Sequence, residues 1–382
     1  MNDLMQSDAE KRSRIDRECW VIGDPESRRV QDFQRSAIGL GMRVPNCLDW
    51  NDLIASEGRC LEQIPPLARV RIDSFGQRCE TIASLIELGG GDVFPKRGQV
   101  LSLDHQYQGI VRAMEMVECW RCRRLESKHD VIIDQVPGDL AVMFDKWATH
   151  QLMLPYRPKT VLLPTEIDAA GQAIQSFADC CGGRVFVKPR YASSASGVCC
   201  YRTQRGRQQL IAAIEIDRCG DDIRLFNSLR VRSFTNPADI DAILRVLIPQ
   251  GMIAEAAVSK ARLDGERFDL RIVVIDGKAD HLVVRQSPWP ITNLHLGNRR
   301  GDLELLYDSV GIDRVNDCRQ LAIHAAAQFP RTRYSGVDIL LPRVNPPLVC
   351  EVNAFGDFLP NLTASGKTVY ASILQIDAGA FV

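Results

Sequence analysis

Two short apolar runs, separated by a proline-rich segment, constrain the fold more than any other feature of the sequence. The runs cover residues 336–341 and 349–353, and the segment 342–347 between them contains three prolines. Apolar runs on either side of a turn-forming segment predict an antiparallel β-hairpin. Folding the chain about the middle of that segment places Asp338 directly opposite Glu351, because both lie the same number of residues from the midpoint.

The predicted hairpin brings three oxygen-bearing side chains to one patch of the sheet. Side chains on a strand repeat every second residue, so Asn353 shares the face of Glu351. The carboxylates of Asp338 and Glu351 repel each other unless a proton or a cation lies between them. An all-oxygen set suits Mg²⁺, which proteins hold through one or two carboxylates together with substrate phosphates. The hairpin therefore indicates an enzyme that uses a nucleotide.

Size and composition narrow the class of protein. The chain has 382 residues, enough for two or three domains, and 45% apolar with 25% charged residues is typical of a soluble globular protein. The net charge of −1 gives no electrostatic case for nucleic acid or an anionic membrane, and no apolar run approaches the roughly 18 residues that span a bilayer. The polar N-terminal segment has no secretory signal, and thirteen irregularly placed cysteines suit reduced thiols, so we expect a cytoplasmic protein.

The order of the predicted elements divides the chain into four parts. Residues 1–18 are predicted as a flexible tail, and residues 19–138 as a small α/β domain with an open parallel sheet. Residues 139–251 and 252–382 are predicted as two further units that follow it.

Two local predictions concern the ends and types of single elements. Asp24 is predicted to cap a helix that begins at Pro25. Further along, we predict a helix near residues 207–215 and a strand over residues 225–234.

A lysine followed by a loop of small residues predicts a phosphate-binding element. Lys188 ends an apolar strand, where a buried ammonium costs free energy unless an anion lies beside it. The loop 192–197 holds only alanine, serine and glycine, and such loops let backbone N–H groups approach a polyphosphate closely. The loop residues that we single out as donors are Ser193, Ser194, Ser196 and Gly197. The alternative is a polar surface loop beside a lysine whose charged end reaches solvent.

Two arginines are predicted to lie on neighbouring strands. The run 276–278 is a hairpin turn, so the strands that carry Arg271 and Arg285 pair with each other. Their guanidinium groups can both bind a transferred phosphate or an acyl phosphate, which arginine contacts as a fork. The alternative is an ion-pair ladder on the sheet.

Taken in order, five motifs of the chain resemble the ATP-grasp superfamily. They are Asp145-Lys146-Trp147, Val187-Lys188-Pro189 with its small-residue loop, Asp269-Leu270-Arg271, Arg285-Gln286 with Asn293-Leu294-His295, and Val337-Asp338 with Glu351-Val352-Asn353. The resemblance covers roughly residues 141–363 and is strongest to the branch with bacterial ribosomal-protein glutamate ligase and prokaryotic glutathione synthetase. It implies an α/β (α+β) fold, in which an N-terminal open parallel-sheet domain precedes a two-subdomain ATP-grasp core.

The resemblance also implies a role for each motif. The implied residues are Lys146, Lys188 and the loop 192–197 for the phosphates of ATP, Asp338, Glu351 and Asn353 for Mg²⁺ or Mn²⁺, and Arg271, Arg285 and Asn293 for the transferred phosphoryl group. The segment 253–258 is implied as the hinge between the two subdomains, with Glu255 and Val258 as contacts of the nucleotide. Compared with its relatives, the chain is longer between Gly197 and Glu255. The added part includes the basic stretch 224–232, which is either a strand for substrate selection or a structural edge strand.

The activity that follows from the resemblance is an ATP- and Mg²⁺-dependent ligation of a carboxylate to an amine through an acyl phosphate. The expected substrates are small molecules or peptides, and neither a membrane nor nucleic acid is expected as a partner. Two alternatives stay open, a kinase of the same fold that phosphorylates a small-molecule hydroxyl and an ATP-binding protein without activity. A homodimer also stays open.

Overall fold

The computed structural model describes residues 17–220, 222–355 and 361–376, and three main β-sheets organise this part of the chain. Most of the predicted tail, residues 1–16, lies outside the described residues. The strands of the first sheet are β1 (Cys19–Gly23), β2 (Asn46–Asp49), β3 (Arg69–Ile72) and β4 (Ile132–Ile133). They are parallel, in the order β2-β1-β3-β4, which confirms the predicted open parallel sheet.

The first sheet is accompanied by four helices, and the first of them begins later than predicted. The helices are α1 (Arg28–Gly39), α2 (Trp50–Ala55), α3 (Cys79–Leu88) and α4 (Leu103–Glu126). The N-cap of α1 is Ser27, whose hydroxyl accepts from the Val30 N–H at 3.3 Å. Asp24 instead accepts from the Glu26 N–H at 3.1 Å and closes a turn. The predicted helix start at Pro25 is therefore wrong, because Asp24 satisfies the turn and leaves the cap to the next serine.

The second sheet has six antiparallel strands. They are β5 (Thr160–Leu162), β6 (Arg184–Pro189), β7 (Cys199–Gln204), β8 (Arg207–Cys219), β9 (Asp222–Phe234) and β10 (Met252–Ala256). Their order is β5-β10-β6-β7-β8-β9. The accompanying helices are α5 (Pro137–Phe144), α6 (Lys146–Leu152), α7 (Ile167–Cys180) and α8 (Pro237–Leu247).

The long hairpin of β8 and β9 corrects one prediction and confirms another. Residues 207–215 belong to β8, so the predicted helix there is wrong. Leu210, Ala212 and Ile214 are fully buried at every second position, as pairing with β7 and β9 requires. The predicted strand over residues 225–234 is confirmed within β9, the edge strand of the sheet.

The third sheet carries the predicted metal hairpin. Its strands are β11 (Arg262–Leu263), β12 (Glu266–Ile275), β13 (Lys278–Ser287), β14 (Arg299–Arg300), β15 (Tyr334–Leu340) and β16 (Leu348–Asn353). The order is β14-β13-β12-β15-β16, with β11 paired to β12. The remaining elements are α9 (Leu303–Val310), α10 (Ile312–Ala326), the short hairpin β17 (Thr363–Ala364) and β18 (Lys367–Thr368), and α11 (Val369–Leu374).

The buried apolar side chains determine which face of each sheet is free for a ligand. The largest cluster joins the first sheet to the third, with Ile22 and Ile272 among its members. A second cluster lies between the second sheet and its helices and includes Val185 and Val187 of β6. Because side chains alternate along a strand, Lys188 projects from the opposite face of β6, away from this core.

Two features of the whole chain bear on its environment. All thirteen cysteines lie among the described residues and are free, as expected for reduced thiols. Of the helices in the described ranges, none has both the length and the apolar character needed to cross a membrane.

Candidate active site

A cavity of about 400 Å³, its mouth included, opens between the second and third sheets. Strands β6 and β10 form one side of it, β16 forms the other, and α5 and α6 close one end. Its charged lining residues are Lys146, Lys188, Glu255 and Glu351. Four predicted site residues, separated by up to 205 positions in sequence, therefore meet in one cavity.

The positive charge of Lys188 is balanced within the cavity by Glu255 of the neighbouring strand. Its Nζ donates to Glu255 Oε1 at 2.6 Å and lies 3.6 Å from the Cys350 sulfur. Burial alone would lower the pKa of Lys188, but Cys350 and Glu255 raise it above its ordinary value. The lysine is therefore held as a buried cation.

Lys146 connects three elements at the other side of the cavity. It is the first residue of α6, and Asp145 caps this helix by accepting from the Trp147 N–H at 3.0 Å. The Nζ of Lys146 donates to the Ala192 carbonyl of the small-residue loop and lies 3.7 Å from Glu351 Oε1. The lysine thus lies beside both the predicted phosphate loop and the predicted metal hairpin.

The small-residue loop has a conformation that few side chains tolerate. Ser194, Ala195 and Gly197 have φ values of 55°, 62° and 66°, in the left-handed region. A Cβ atom on Gly197 would lie 2.7 Å from the Pro189 side chain, so this position requires glycine. No contact in the described structure tests whether the loop binds phosphate, and the roles of Ser193, Ser194, Ser196 and Gly197 stay predictions.

An ion-pair ladder crosses three strands of the third sheet, on the face that carries Glu351. Lys260 Nζ contacts Asp269 Oδ2 at 3.1 Å, and Arg285 Nε donates to Asp269 Oδ1 at 2.7 Å. Arg285 also contacts Asp338 at 3.0 Å, and Arg271 donates to both carboxylate oxygens of Asp338. Burial alone would raise the pKa of Asp269, but Arg285 and Lys260 hold it below its usual range. The two predicted arginines are therefore adjacent, and both are paired with the predicted metal ligand.

The hairpin of β15 and β16 has the predicted register at its functional end. Asp338 pairs with Glu351, and Gly336 pairs with Asn353, whose side-chain N–H donates to the Gly336 carbonyl at 3.2 Å. Beyond Asp338 the pairing shifts by one residue, a β-bulge that leaves Cys350 as the extra residue. The expected repulsion between the two carboxylates is relieved by the arginines on Asp338 and by Lys146 near Glu351.

The donor set suits a Mg²⁺ ion that takes most of its ligands from phosphate and water. The described residues contain no group of three or more His, Cys, Asp or Glu side chains that could hold a metal by themselves. The Glu351 side chain is 28% exposed and its one ion pair is the long contact with Lys146. The hydrogen bond from the side-chain N–H of Asn353 to the Gly336 carbonyl fixes the direction of the Asn353 side-chain oxygen. The two carboxylate oxygens of Asp338 contact three N–H donors, two from Arg271 and one from Arg285. One or two carboxylates with phosphate oxygens is the set that Mg²⁺ prefers, so these residues fit the ion.

The predicted hinge, residues 253–258, begins within β10 and continues two residues beyond its end at Ala256. The N–H groups of Ala256 and Ala257 donate to the carbonyls of Lys159 and Arg184, at 2.8 and 3.2 Å. Among the described residues, no backbone acceptor is found for the N–H of Val258. The amide that this segment can offer to a ligand is therefore that of Val258, and its contact with a nucleotide stays a prediction.

The side chain of Asn293 caps a short turn next to Thr292, which bonds Asp269 of the ladder. The side-chain oxygen of Asn293 accepts from the His295 N–H at 3.0 Å and caps this 3-10 turn, Leu294–Leu296. This turn contacts β9 of the second sheet. Within the described structure, no bond joins Asn293 to either arginine, and its catalytic role stays a prediction.

Four residues near the site were not assigned a role from sequence. Lys260 and Asp269 extend the ladder, and His150 and Cys350 line the cavity. Asp269 precedes Arg271 by two positions on one strand, a spacing that signals a shared face. His150 follows Lys146 by four positions on a helix, which signals the same in α6. The sequence contains no such signal for Lys260, because this residue contacts Asp269 of a different element. It contains none for Cys350, because the position of Cys350 depends on the β-bulge.

No protein-family model and no curated protein matches the sequence. Solved structures do match it along almost its whole length. One is the ATP-grasp ligase PsnB complexed with a minimal precursor, at 14% identity, with 94% of this chain and 97% of that chain covered and a TM-score of 0.52. Another is the D-cycloserine synthetase DcsG, at 12% identity, with the same shares covered and a TM-score of 0.53. At this identity the likeness concerns the fold, and it confirms the ATP-grasp architecture expected from the motifs. The particular branch stays a prediction.

Proposed function

The chain has the ATP-grasp fold, and from this premise we propose that it is an ATP- and Mg²⁺-dependent ligase that joins a carboxylate to an amine. The observation that carries the proposal is the meeting of Lys146, Lys188 and Glu351 in one cavity between the two sheets. Two cations and an exposed carboxylate at the edge of an apolar cleft suit a phosphate chain with a bound divalent ion.

The two lysines are the proposed contacts of the phosphate groups. Lys188 keeps its charge because Glu255 lies 2.6 Å from it, so the cation is present before any ligand arrives. Lys146 can exchange its distant Glu351 partner, 3.7 Å away, for a phosphate oxygen at small cost. We propose that a bound phosphate lies between these two lysines, and that Asp338, Glu351 and Asn353 would hold Mg²⁺ beside it.

We propose that the two arginines of the ladder are held in a fixed orientation by their carboxylate partners and neutralise negative charge on the transferred phosphoryl group. Arg271 uses Nε and Nη2 for Asp338, and Arg285 uses Nε for Asp269 and Nη2 for Asp338. Each guanidinium retains its Nη1 without a partner among the described residues. We propose that these groups stabilise charge that develops on the transferred phosphoryl group, while their other bonds fix their orientation.

The chemistry of the proposed reaction has two steps. When bound, ATP supplies the phosphoryl group that activates the substrate carboxylate, and Mg²⁺ neutralises the phosphate charge. The carboxylate oxygen takes the γ-phosphoryl group and ADP leaves; the amine nitrogen then attacks the acyl carbon, and phosphate and a proton leave. The substrates that we propose are small-molecule or peptide carboxylates and amines, and we propose a cytoplasmic setting, which the thirteen free thiols support.

The proposal is tested by following ADP release from purified protein with MgATP and a panel of carboxylates and amines. We expect release only when both substrates are present, and a hydroxamate when hydroxylamine replaces the amine. The variants Glu351→Gln and Lys188→Met should each lower kcat/KM at least about 100-fold, because Glu351 is proposed to hold Mg²⁺ and Lys188 to neutralise phosphate charge. The control is Glu215→Gln, an exposed carboxylate on β8 that pairs with Arg232.

The same assay contains the results that would contradict the proposal. A stable phosphorylated product without a hydroxamate would indicate a kinase of this fold. Binding of MgATP without ADP release for any pair of substrates would indicate a binding protein. Full activity in both site variants would reject the assigned residues.

A further inference from the structure

A second cavity, of about 580 Å³, lies on the same face of the second sheet and is strongly basic. We call it the basic pocket. Its charged lining residues are Arg184, Lys260, Arg262, Arg267 and Arg343. None of the described lining residues is acidic. The wall therefore concentrates five positive charges that are exposed or partly exposed, with no carboxylate among them.

Four of the five cations have no carboxylate partner anywhere in the described structure. Lys260 is the exception, since it is paired with Asp269 of the ladder. Arg262 and Arg267 donate only to backbone carbonyls, those of Gly265 and Pro288.

The other two arginines, Arg184 and Arg343, have fewer side-chain contacts than Arg262 and Arg267. The side chains of Arg184 and Arg343 form no hydrogen bond or ion pair with any described residue. Burial, followed by the charges of Arg262 and Arg184, lowers the pKa of Arg267. The free protein therefore carries a local repulsion that a bound anion would relieve.

The position and shape of the pocket indicate the kind of anion. Arg184, Phe186 and Lys188 alternate along β6, so the basic pocket is the neighbour of the first cavity on one sheet face. Phe186 lines the basic pocket, and its ring centre lies 5.6 Å from the Lys188 Nζ. A compact ligand with several negative charges matches this wall.

We propose that the basic pocket binds a phosphate-bearing small molecule with at least two negative charges. Guanidinium groups contact phosphate through paired N–H donors, and Arg184 and Arg343 have all of theirs available. The phosphate belongs either to a nucleotide whose remaining phosphates lie between Lys146 and Lys188 in the first cavity or to a phosphorylated second substrate. Apart from Ala257 and Val258 of the predicted hinge, no residue of the pocket belongs to the site predicted from sequence, so the inference goes beyond the proposed reaction.

The test is thermal unfolding in pyrophosphate, with sodium chloride at equal ionic strength as the reference. We expect pyrophosphate to raise the Tm of the wild type by about 3 °C beyond the chloride reference. The double variant Arg184→Gln/Arg343→Gln should lose most of this shift. It should also fold normally, because neither side chain bonds to another described residue. The matched control is Arg202→Gln/Arg230→Gln, which removes two exposed arginines of the same sheet outside the pocket.

Calorimetric titration of the same variants with MgATP and with adenosine identifies the source of the phosphate. Weaker MgATP binding with unchanged adenosine binding assigns it to the nucleotide. Unchanged MgATP binding with a lost pyrophosphate shift assigns it to a second substrate. An equal pyrophosphate shift in the wild type and in the Arg184→Gln/Arg343→Gln variant would overturn the proposal. None of these measurements requires turnover, so that result would leave the proposed ligase activity untouched.

Discussion

Single residues in this protein are mostly fixed by charges that neutralise one another inside the fold. Asp269 is the clearest case, since it is 4% exposed and accepts from Lys260, Arg285 and Thr292. Lys188 and Glu255 form a second closed pair. Buried pairs of this kind add little net stability when complete, but removing one partner leaves a charge without solvent or counter-ion.

Replacing Asp269 with asparagine should therefore be strongly destabilising. We expect Asp269→Asn to lower the free energy of unfolding by about 3 kcal/mol, because two cations lose their shared carboxylate. Urea denaturation measures the change. The control Asp241→Asn disrupts an exposed pair with Arg245 and should leave the midpoint nearly unchanged. Similar midpoints for both variants would show that the ladder does not hold the third sheet together.

His150 should make stability depend on pH. Burial, followed by the charges of Arg157 and Lys188, lowers the pKa of His150 from 6.5 to about 3. Between these values the unfolded chain binds a proton that the folded chain does not. The stability from neutral His150 is therefore complete above pH 6.5 and is lost as the pH falls.

The size of this effect can be measured against a variant without the imidazole. From pH 7 to pH 4 the wild type should lose about 2 kcal/mol more than His150→Gln, allowing for solvent at the cavity mouth. Urea midpoints at several pH values give the comparison. Parallel pH curves for the two proteins would contradict the assignment.

At the scale of elements, turns and bulges determine where side chains lie. The small-residue loop and the β7–β8 turn both contain a glycine in the left-handed region, but only one of them is packed. Gly197 has φ 66° and lies against Pro189, whereas Gly206 has φ 74° and nothing within 4 Å of a Cβ atom. Substitutions at these two glycines separate the free-energy cost of the left-handed backbone conformation from the cost of steric contact.

We expect Gly206→Ala to cost about 1 kcal/mol, the conformational term alone. Gly197→Ala should cost about 1–3 kcal/mol more, because the added methyl group meets a proline ring. Thermal unfolding measures both, and MgATP affinity should fall only for Gly197→Ala. Equal losses of stability would mean that the loop is free to move away from Pro189.

The same elements show what a sequence can and cannot predict. The register of Asp338 and Glu351 was predictable, because strand periodicity and a symmetric turn leave few alternatives. Residues 207–215 were predicted wrongly, since a short apolar run fits a helix or a strand and only its partners β7 and β9 decide. The Lys188–Glu255 contact joins adjacent strands whose pairing no local pattern reveals. The bulge at Cys350 was missed for the same reason.

At the scale of the whole molecule, segments far apart in sequence share one core. The first and third sheets contribute to a single apolar cluster. Arg69 of β3 binds Asp134 and also donates to the carbonyls of Ile373 and Leu374, at the end of α11. The N-terminal sheet and the last described helix therefore depend on one guanidinium group.

Removing that group should loosen α11 as well as weaken the sheet. We expect Arg69→Met to lower the free energy of unfolding by at least about 3 kcal/mol, because Asp134 is fully buried. Amide exchange over residues 369–376 should become faster.

The double variant Arg69→Met/Asp134→Leu separates the two effects. It should recover part of the stability, because no lone charge remains, but the exchange over residues 369–376 should stay fast. Recovery of both would show that the bonds to the α11 carbonyls contribute nothing.

The two neighbouring cavities differ in one respect that matters at the bench. The first is electrically balanced when empty, with Lys188 beside Glu255 and Lys146 near Glu351. The basic pocket is not, since four of its arginines have no carboxylate partner in the described structure. Attraction to an exposed, unbalanced charge weakens with ionic strength, whereas a buried, compensated pair responds little. Phosphate or sulfate in a buffer should therefore occupy the basic pocket more readily than the first cavity, so the choice of buffer will decide which ligands the protein is seen to bind.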